Sequence, residues 1–203
     1  MISLKIPREW IEYIFEKRRE AIERMLSGNV DSRDIYLGFT RTMPAIVSYG
    51  SAGLNASVKM IGLVPKEDII DDLYAKIIEL VEKKPSMQIV KKFLLDEIYV
   101  EDRIDFSKLF TLDLARKNTW RNVNENPDVV LIFYTPPDTS FMVRARATVH
   151  TDDIYYRYAN AMHDIFHVVP RKGRIVSRAP TYVFHIKEIW NKSADKFGVK
   201  IYP

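Results

Sequence analysis

The chain has 203 residues, 47% of them hydrophobic and 29% charged, with no cysteine and a formal net charge of +4. That is enough chain for one buried core with the composition of an ordinary globular protein. The missing cysteines exclude disulfides, thiolate metal sites and thiol catalysis. The charge is small and evenly spread, so no nucleic-acid surface is indicated, and no apolar run approaches a bilayer's thickness. Arg8 and Glu9 lie where an export signal would carry its apolar core, so the expected compartment is the cytoplasm. A single glutamine (Gln88), no cysteine and many Lys, Arg, Glu and Ile residues resemble a thermophile's composition.

The pattern predicts a helix over 7–26, opened by Pro7 and stopped by Ser27-Gly28-Asn29, with Trp10, Ile11, Ile14, Phe15, Ile22 and Met25 on one side. Two strands, Ala45–Tyr49 and Leu54–Leu63, flank the hairpin-like Gly50-Ser51-Ala52-Gly53. In the second, Asn55, Ser57 and Lys59 share one face, and Leu54, Ala56, Val58 and Met60 the other. Two helices follow. One begins at Pro65 with the stripe Ile69, Leu73, Ile77, Leu80; the next begins at Pro85 with Ile89, Val90, Phe93, Leu94.

The most informative stretch is 109–127. A short apolar strand (Leu109, Phe110, Leu112, Leu114) breaks at Ala115-Arg116-Lys117-Asn118-Thr119, where a helix starts. Pro127 ends that helix, because the residue before a proline is driven out of the helical region. A strand-to-helix corner leaves backbone N–H groups and the positive end of the helix dipole pointing outward. Arg116, Lys117 and the Thr119 hydroxyl at such a corner suit a phosphate. Cations are disfavoured at a helix start unless an anion is present, which favours this reading over plain surface charge. Thr119 serves equally well as a local cap. Strands at about 128–135 and 141–150 follow, joined by Thr135-Pro136-Pro137-Asp138. The later one alternates, with Phe141, Val143, Ala145, Ala147 and Val149 on one face and Met142, Arg144, Arg146, Thr148 and His150 on the other. Thr151, Asp152 and Asp153 cap a helix running to about Asp164, a Pro/Gly/Arg-rich loop spans Pro170 to Pro180, and Thr181–Trp190 is the last strand. His163 and His167 have metal-pair spacing, but no carboxylate completes a set. The expectation is a mainly β, small antiparallel barrel dressed with helices.

Several of these motifs resemble the FMN-binding split barrels, the pyridoxamine 5′-phosphate oxidase-like superfamily that includes flavin reductases. Phe110-Thr111, Arg116-Lys117 and Asn126-Pro127 look like its aromatic–Thr, Arg-Lys, Asn-Pro signature. Lys117-Asn118-Thr119-Trp120-Arg121-Asn122-Val123 is similar to the Lys-Asp-Thr-aromatic-Arg-Asn-Ile run of the reductase branch. Gly53-Leu54-Asn55-Ala56-Ser57 sits where the family has a glycine turn beside the flavin, Val143–Thr148 resembles its Val-Arg-(x)-Gly/Ala strand, and Tyr182–Trp190 its closing strand.

The resemblance covers roughly 43–64 and 106–190. It implies a six-stranded antiparallel split barrel; the N-terminal helical extension (1–35) and a helical insertion (65–97) lie outside the resemblance, and the length of the chain makes 1–203 one expected domain. The resemblance also implies a homodimer with FMN sites at the subunit interface. Arg116, Lys117 and Thr119 would meet the FMN phosphate. Thr111, Trp190 and the polar face Asn55, Ser57, Lys59 are the further candidate cofactor contacts. Ser57-Val58-Lys59-Met60-Ile61-Gly62 departs from the oxidases' Arg-x-x-x-x-Lys, and Asn191–Lys196 lacks their Arg-x-His, so pyridoxamine phosphate is not the expected substrate. The expected activity is an FMN-dependent oxidoreductase acting on a small molecule with a reduced nicotinamide-type donor, a deazaflavin being the variant cofactor. The alternative is a carrier or sensor that binds flavin, deazaflavin or haem without turnover.

Overall fold

The structure, a computed structural model, describes residues 5–28, 31–167 and 178–203. Most of the Pro170–Pro180 loop expected above lies outside the described residues. Eight strands form one antiparallel sheet: β1 (Ala45–Gly50), β2 (Gly53–Val58), β3 (Gly62–Pro65), β4 (Ile104–Leu112), β5 (Asp128–Thr135), β6 (Thr139–His150), β7 (Thr181–Asn191) and β8 (Val199–Tyr202). The pairing order is β2-β1-β5-β6-β7-β4-β3, with β8 on the far end of β7.

Two corrections to the expected six-stranded barrel follow. First, the strand expected over Leu54–Leu63 is two strands. At 59–61 the chain leaves β1 and crosses toward β4, held by Ile61 N–H on the Thr42 carbonyl (2.8 Å), Thr111 Oγ1 on the Met60 carbonyl (2.6 Å) and Arg18 Nη2 on the Ile61 carbonyl (2.8 Å). Gly62 is required where β3 starts, since a Cβ there would lie 2.2 Å from the Phe110 ring. Second, the sheet is not closed by hydrogen bonds. Its two end strands, β2 and β3, are joined instead by residues 59–61. Four Cα steps reach at most about 14 Å, so the sheet must curl until its edges nearly meet.

The curled sheet has an inside, and the N-terminal helix plugs it. Helical segments Arg8–Ile11 and Lys17–Ser27 are continuous through a π-helical turn, Glu12–Glu16. That turn brings Trp10, Tyr13, Ile14 and Phe15 all into the core. The Trp10 ring meets Phe133 and Phe141 edge-on at 5.2 and 5.5 Å. Val143, Ala145, Ala147, Tyr182, Phe184 and Ile186 point into the same core. Both of these faces are thus buried within the chain and need no cover from a second copy.

A second core lies on the outer face of β3, β4 and β7. Helix Ile70–Glu82, helix Met87–Phe93 with its π-helical continuation Leu94–Ile98, and helix Ile154–His167 pack Leu73, Ile77, Val90 and Tyr158 against Phe110 and Val183. These helices begin later than the prolines suggested: Pro65 ends β3, and Ser86 caps the second helix by accepting from Ile89 N–H. A further helix, Ser32–Thr42, follows the N-terminal one and contacts β5, while Tyr49, Leu54 and Val58 on the outer face of β1 and β2 stay exposed.

Candidate functional site

The corner is built from β4, a turn at 113–117 and the helix Asn118–Glu125, whose start falls within the break at 115–119 expected from sequence. Asp113, 2% exposed, organises the turn. Its Oδ1 accepts from Arg116 N–H at 3.2 Å and Ala115 N–H at 3.4 Å, and from Lys59 Nζ at 3.1 Å, while Tyr182 donates its hydroxyl to Oδ2. Burial alone would push the Asp113 carboxyl up, but the Tyr182 hydrogen bond and the Lys59 ammonium outweigh it and hold it below the ordinary range. Burial, with the hydrogen bond to Asp113 and its charge, pushes the Tyr182 hydroxyl well up. The turn sets Arg116 in the left-handed region (φ 48°). Its guanidinium lies over the Trp120 ring, 5.8 Å from the centroid, and Trp120 stacks on Tyr182.

Arg116, Lys117 and Arg121, with Asn118 and Trp120, line an open cleft of about 590 Å³ at the helix start. All three cations are exposed and none forms an ion pair among the described residues. Lys117 caps the helix without any side-chain hydrogen bond to it, so the first turn's N–H groups are not capped by a side chain. Glu125 sits at the cleft's far end but is turned aside: its carboxylate accepts from Ser51 N–H at 2.6 Å and from the Ser51 hydroxyl. Those hydrogen bonds hold it below the usual carboxylate range.

The polar face of β2 is brought to the corner as well. Thr119 Oγ1 accepts from Asn55 Nδ2 at 2.9 Å and lies 3.0 Å from Ser57 Oγ. These three side chains therefore dock β2 onto the helix, and none of them lines the cleft. Lys59 is spent on Asp113. Thr111 faces the crossing segment through Met60. Trp190 is not brought to the corner within one chain: it lies eight residues along β7 from Tyr182, about 26 Å by strand rise. Its indole N–H donates to Glu188 Oε2 at 3.0 Å, and Lys192 and Lys200 approach its ring.

Sequence reasoning missed Asp113 and Asn122. An aspartate directly after an apolar strand is a turn former, a signal that was available. Asn122 is fully buried: Oδ1 accepts from Ala52 N–H at 3.1 Å and Nδ2 donates to the Gly53 carbonyl at 2.8 Å. It clamps the 50–53 turn to the helix. Gly50 permits that approach, since a Cβ would lie 2.9 Å from Asn122 Oδ1 and 3.0 Å from its Cα. His163 belongs to helix Ile154–His167, which extends to His167 rather than ending near Asp164, and no metal-binding cluster exists among the described residues.

No family model matches the chain, and no curated protein matches its sequence. Among solved structures it is similar in fold to HupZ of Group A Streptococcus, at 12% identity and a TM-score of 0.51, covering 93% of this chain and 98% of that one. Two others are a pyridoxamine 5′-phosphate oxidase-related, FMN-binding protein of Nostoc punctiforme (8% identity, 100% of both chains, TM-score 0.48) and an FMN-binding protein of Syntrophomonas wolfei (10%, 91% and 92%, 0.43). At these identities the likeness is one of fold.

Proposed function

We propose that the chain is an FMN-dependent oxidoreductase of the pyridoxamine 5′-phosphate oxidase-related or flavin reductase-like kind, acting on a small substrate with a reduced nicotinamide-type donor. The observation that carries the proposal is the corner cleft. Three cations without ion pairs surround a helix N-terminus whose N–H groups have no side-chain cap, in a volume of about 590 Å³. Such a donor set fits a phosphate monoester, because charge-assisted hydrogen bonds from Arg and Lys add to the helix end. When bound, FMN supplies two-electron redox chemistry. The chain's own residues then have defined tasks. Arg116, Lys117 and Arg121 hold the phosphate; Asp113 fixes the turn that aims Arg116; and Asn55, Ser57 and Thr119 keep β2 seated beside the helix.

The proposal includes a homodimer. Leu54, Ala56 and Val58 of β2, Tyr49 of β1, and Ile132 and Tyr134 of β5 form one outer sheet face, and Leu54, Tyr49 and Val58 are 77%, 64% and 62% exposed. A contiguous apolar sheet face of this kind marks an association surface. Pairing two copies there would supply the second wall beside β2.

A purified chain mixed with FMN tests the assignment. Visible absorption retained after desalting, together with binding that prefers FMN to riboflavin, is expected; binding of riboflavin as tightly as FMN would refute it. A specific observation favours the carrier reading as a second possibility: Asp113, Lys59 and Tyr182 are engaged with one another, leaving no unengaged acid or base among them. Steady-state oxidation of a reduced nicotinamide with FMN present separates enzyme from carrier.

A further inference from the structure

An apolar groove of about 740 Å³ opens between helix Lys17–Ser27, helix Ser32–Thr42, the crossing segment 59–61 and helix Ile154–His167. It shares no lining residue with the corner cleft. Ile22 and Met25 form part of its wall, and Phe39, Met60, Leu114 and Phe166, all exposed, stand around it. Pockets of about 300–1,000 Å³ with mainly apolar walls and a few polar groups are typical of small-molecule sites.

The most buried of the groove's charged side chains is Arg18. Its side chain lines the groove and is only 4% exposed. A guanidinium carries five N–H donors and no acceptor. Nη2 donates to the Ile61 carbonyl at 2.8 Å, Nη1 makes only a long contact of 3.4 Å to the Ile14 carbonyl of its own helix, and Nε has no partner. No carboxylate pairs with it among the described residues, and burial disfavours its charged form. A second cation of the groove, Lys91, makes a long contact of 3.4 Å to the Met25 carbonyl. A third, Lys59, is already neutralised by Asp113. A buried cation without a counter-charge is costly unless something anionic meets it. Arginine's planar fork suits a carboxylate's two oxygens.

We infer that this groove binds an amphipathic carboxylate, an apolar carbon chain with one anionic head, the chain lying along Ile22, Met25 and Phe39 and the head meeting Arg18. The site stands independently of the FMN reading. It is a second binding place next to the corner, for a ligand of fatty-acid chemistry.

Isothermal titration of the full chain with dodecanoate, dodecanol and dodecylamine below their aggregation concentrations tests it. One dodecanoate per chain is expected, bound at least tenfold more tightly than dodecanol, with dodecylamine weakest. Arg18→Met should fold, because removing a buried uncompensated charge offsets the loss of its hydrogen bond to the Ile61 carbonyl. It should keep dodecanol binding and lose the preference for dodecanoate. Phe39→Asp, at an exposed position, should weaken dodecanoate and dodecanol alike by tenfold or more. Equal affinities for the three probes, or a preference intact in Arg18→Met, would overturn the inference. So would the absence of saturable dodecanoate binding in the parent chain. If light scattering shows in addition that Phe39→Asp separates a dimer, the groove is instead a contact between copies. The ranking of probes on the parent chain and the Phe39 variant decide the matter even if Arg18→Met does not fold.

Discussion

Replacing Lys117 by alanine removes one of three exposed cations around the corner cleft while leaving the fold untouched, because its ammonium makes no ion pair among the described residues. A hydrogen bond to a charged group contributes about 1.5–3 kcal/mol. Lys117 is exposed, so solvent and salt screen it and the lower end applies. About 1.4 kcal/mol is a tenfold change in affinity, so Lys117→Ala should weaken FMN roughly tenfold at low salt, and less at high salt. Riboflavin, which lacks the phosphate, should bind the variant and the parent equally. Fluorescence titration of both ligands at two ionic strengths measures this. Parallel losses for FMN and riboflavin, or a loss of FMN binding indifferent to salt, would refute the phosphate assignment.

Asp113→Asn should destabilise the chain by about 3 kcal/mol, the cost of leaving a largely buried partner, here Lys59, unpaired, read as a shift in the urea midpoint. The folded Asp113 carboxyl lies below its ordinary value of 3.8, so its stabilising share is complete above that value and is lost as pH falls through the lower, folded one. The variant should therefore lose part of the acid limb of the stability–pH profile, and an unchanged limb would contradict the assignment. Gly50→Ala should cost about 1–3 kcal/mol through overpacking against Asn122 and loosen the 50–53 turn, seen as faster amide exchange at Ala52. Leu54→Glu should yield a monomer by light scattering at micromolar concentration; a dimer of unchanged stability would place the interface elsewhere.

How much of this was legible in the sequence depends on which contacts set each feature. The alternation of Phe141, Val143, Ala145 and Ala147 with Arg144 and Arg146 is a local pattern, and the structure follows it residue by residue. The break at Lys59–Ile61 is not local. Leu54–Leu63 reads as one continuous strand because apolar residues persist through it, and the hydrogen bonds that bend the chain there come from Arg18, Thr42 and Thr111. The same holds for Asn122, whose polar amide is fully buried only because a turn some seventy positions earlier docks on it. Tyr13 joins Trp10, Ile14 and Phe15 on one buried surface through a π-helical turn that a regular period does not express. At the corner, the cation pair Arg116-Lys117 was visible in the sequence and Asp113 carried a turn former's signal, whereas its pairing with Lys59 and Tyr182 comes from distant strands.

The polarity of β2 carries the last step. In most half-buried strands the apolar face turns inward and the polar face meets water. Here the inward face is Asn55 and Ser57, hydrogen-bonded to Thr119, and the outward face is Leu54, Ala56 and Val58. Neighbouring β1 and β5 add Tyr49, Ile132 and Tyr134 to the same outward side. On the opposite half of the sheet, β3, β4 and β7 have their outer apolar residues sealed by three helices. One half is therefore covered by the chain's own helices, while the other presents an apolar sheet face beside the corner where three cations without an ion pair among the described residues converge. A second copy seated on that face would bury the apolar residues and enclose the strand next to the cleft in a single step. That arrangement joins oligomerisation and cofactor binding, so a substitution that opens the interface should weaken FMN as well, even at a residue outside the corner cleft such as Leu54.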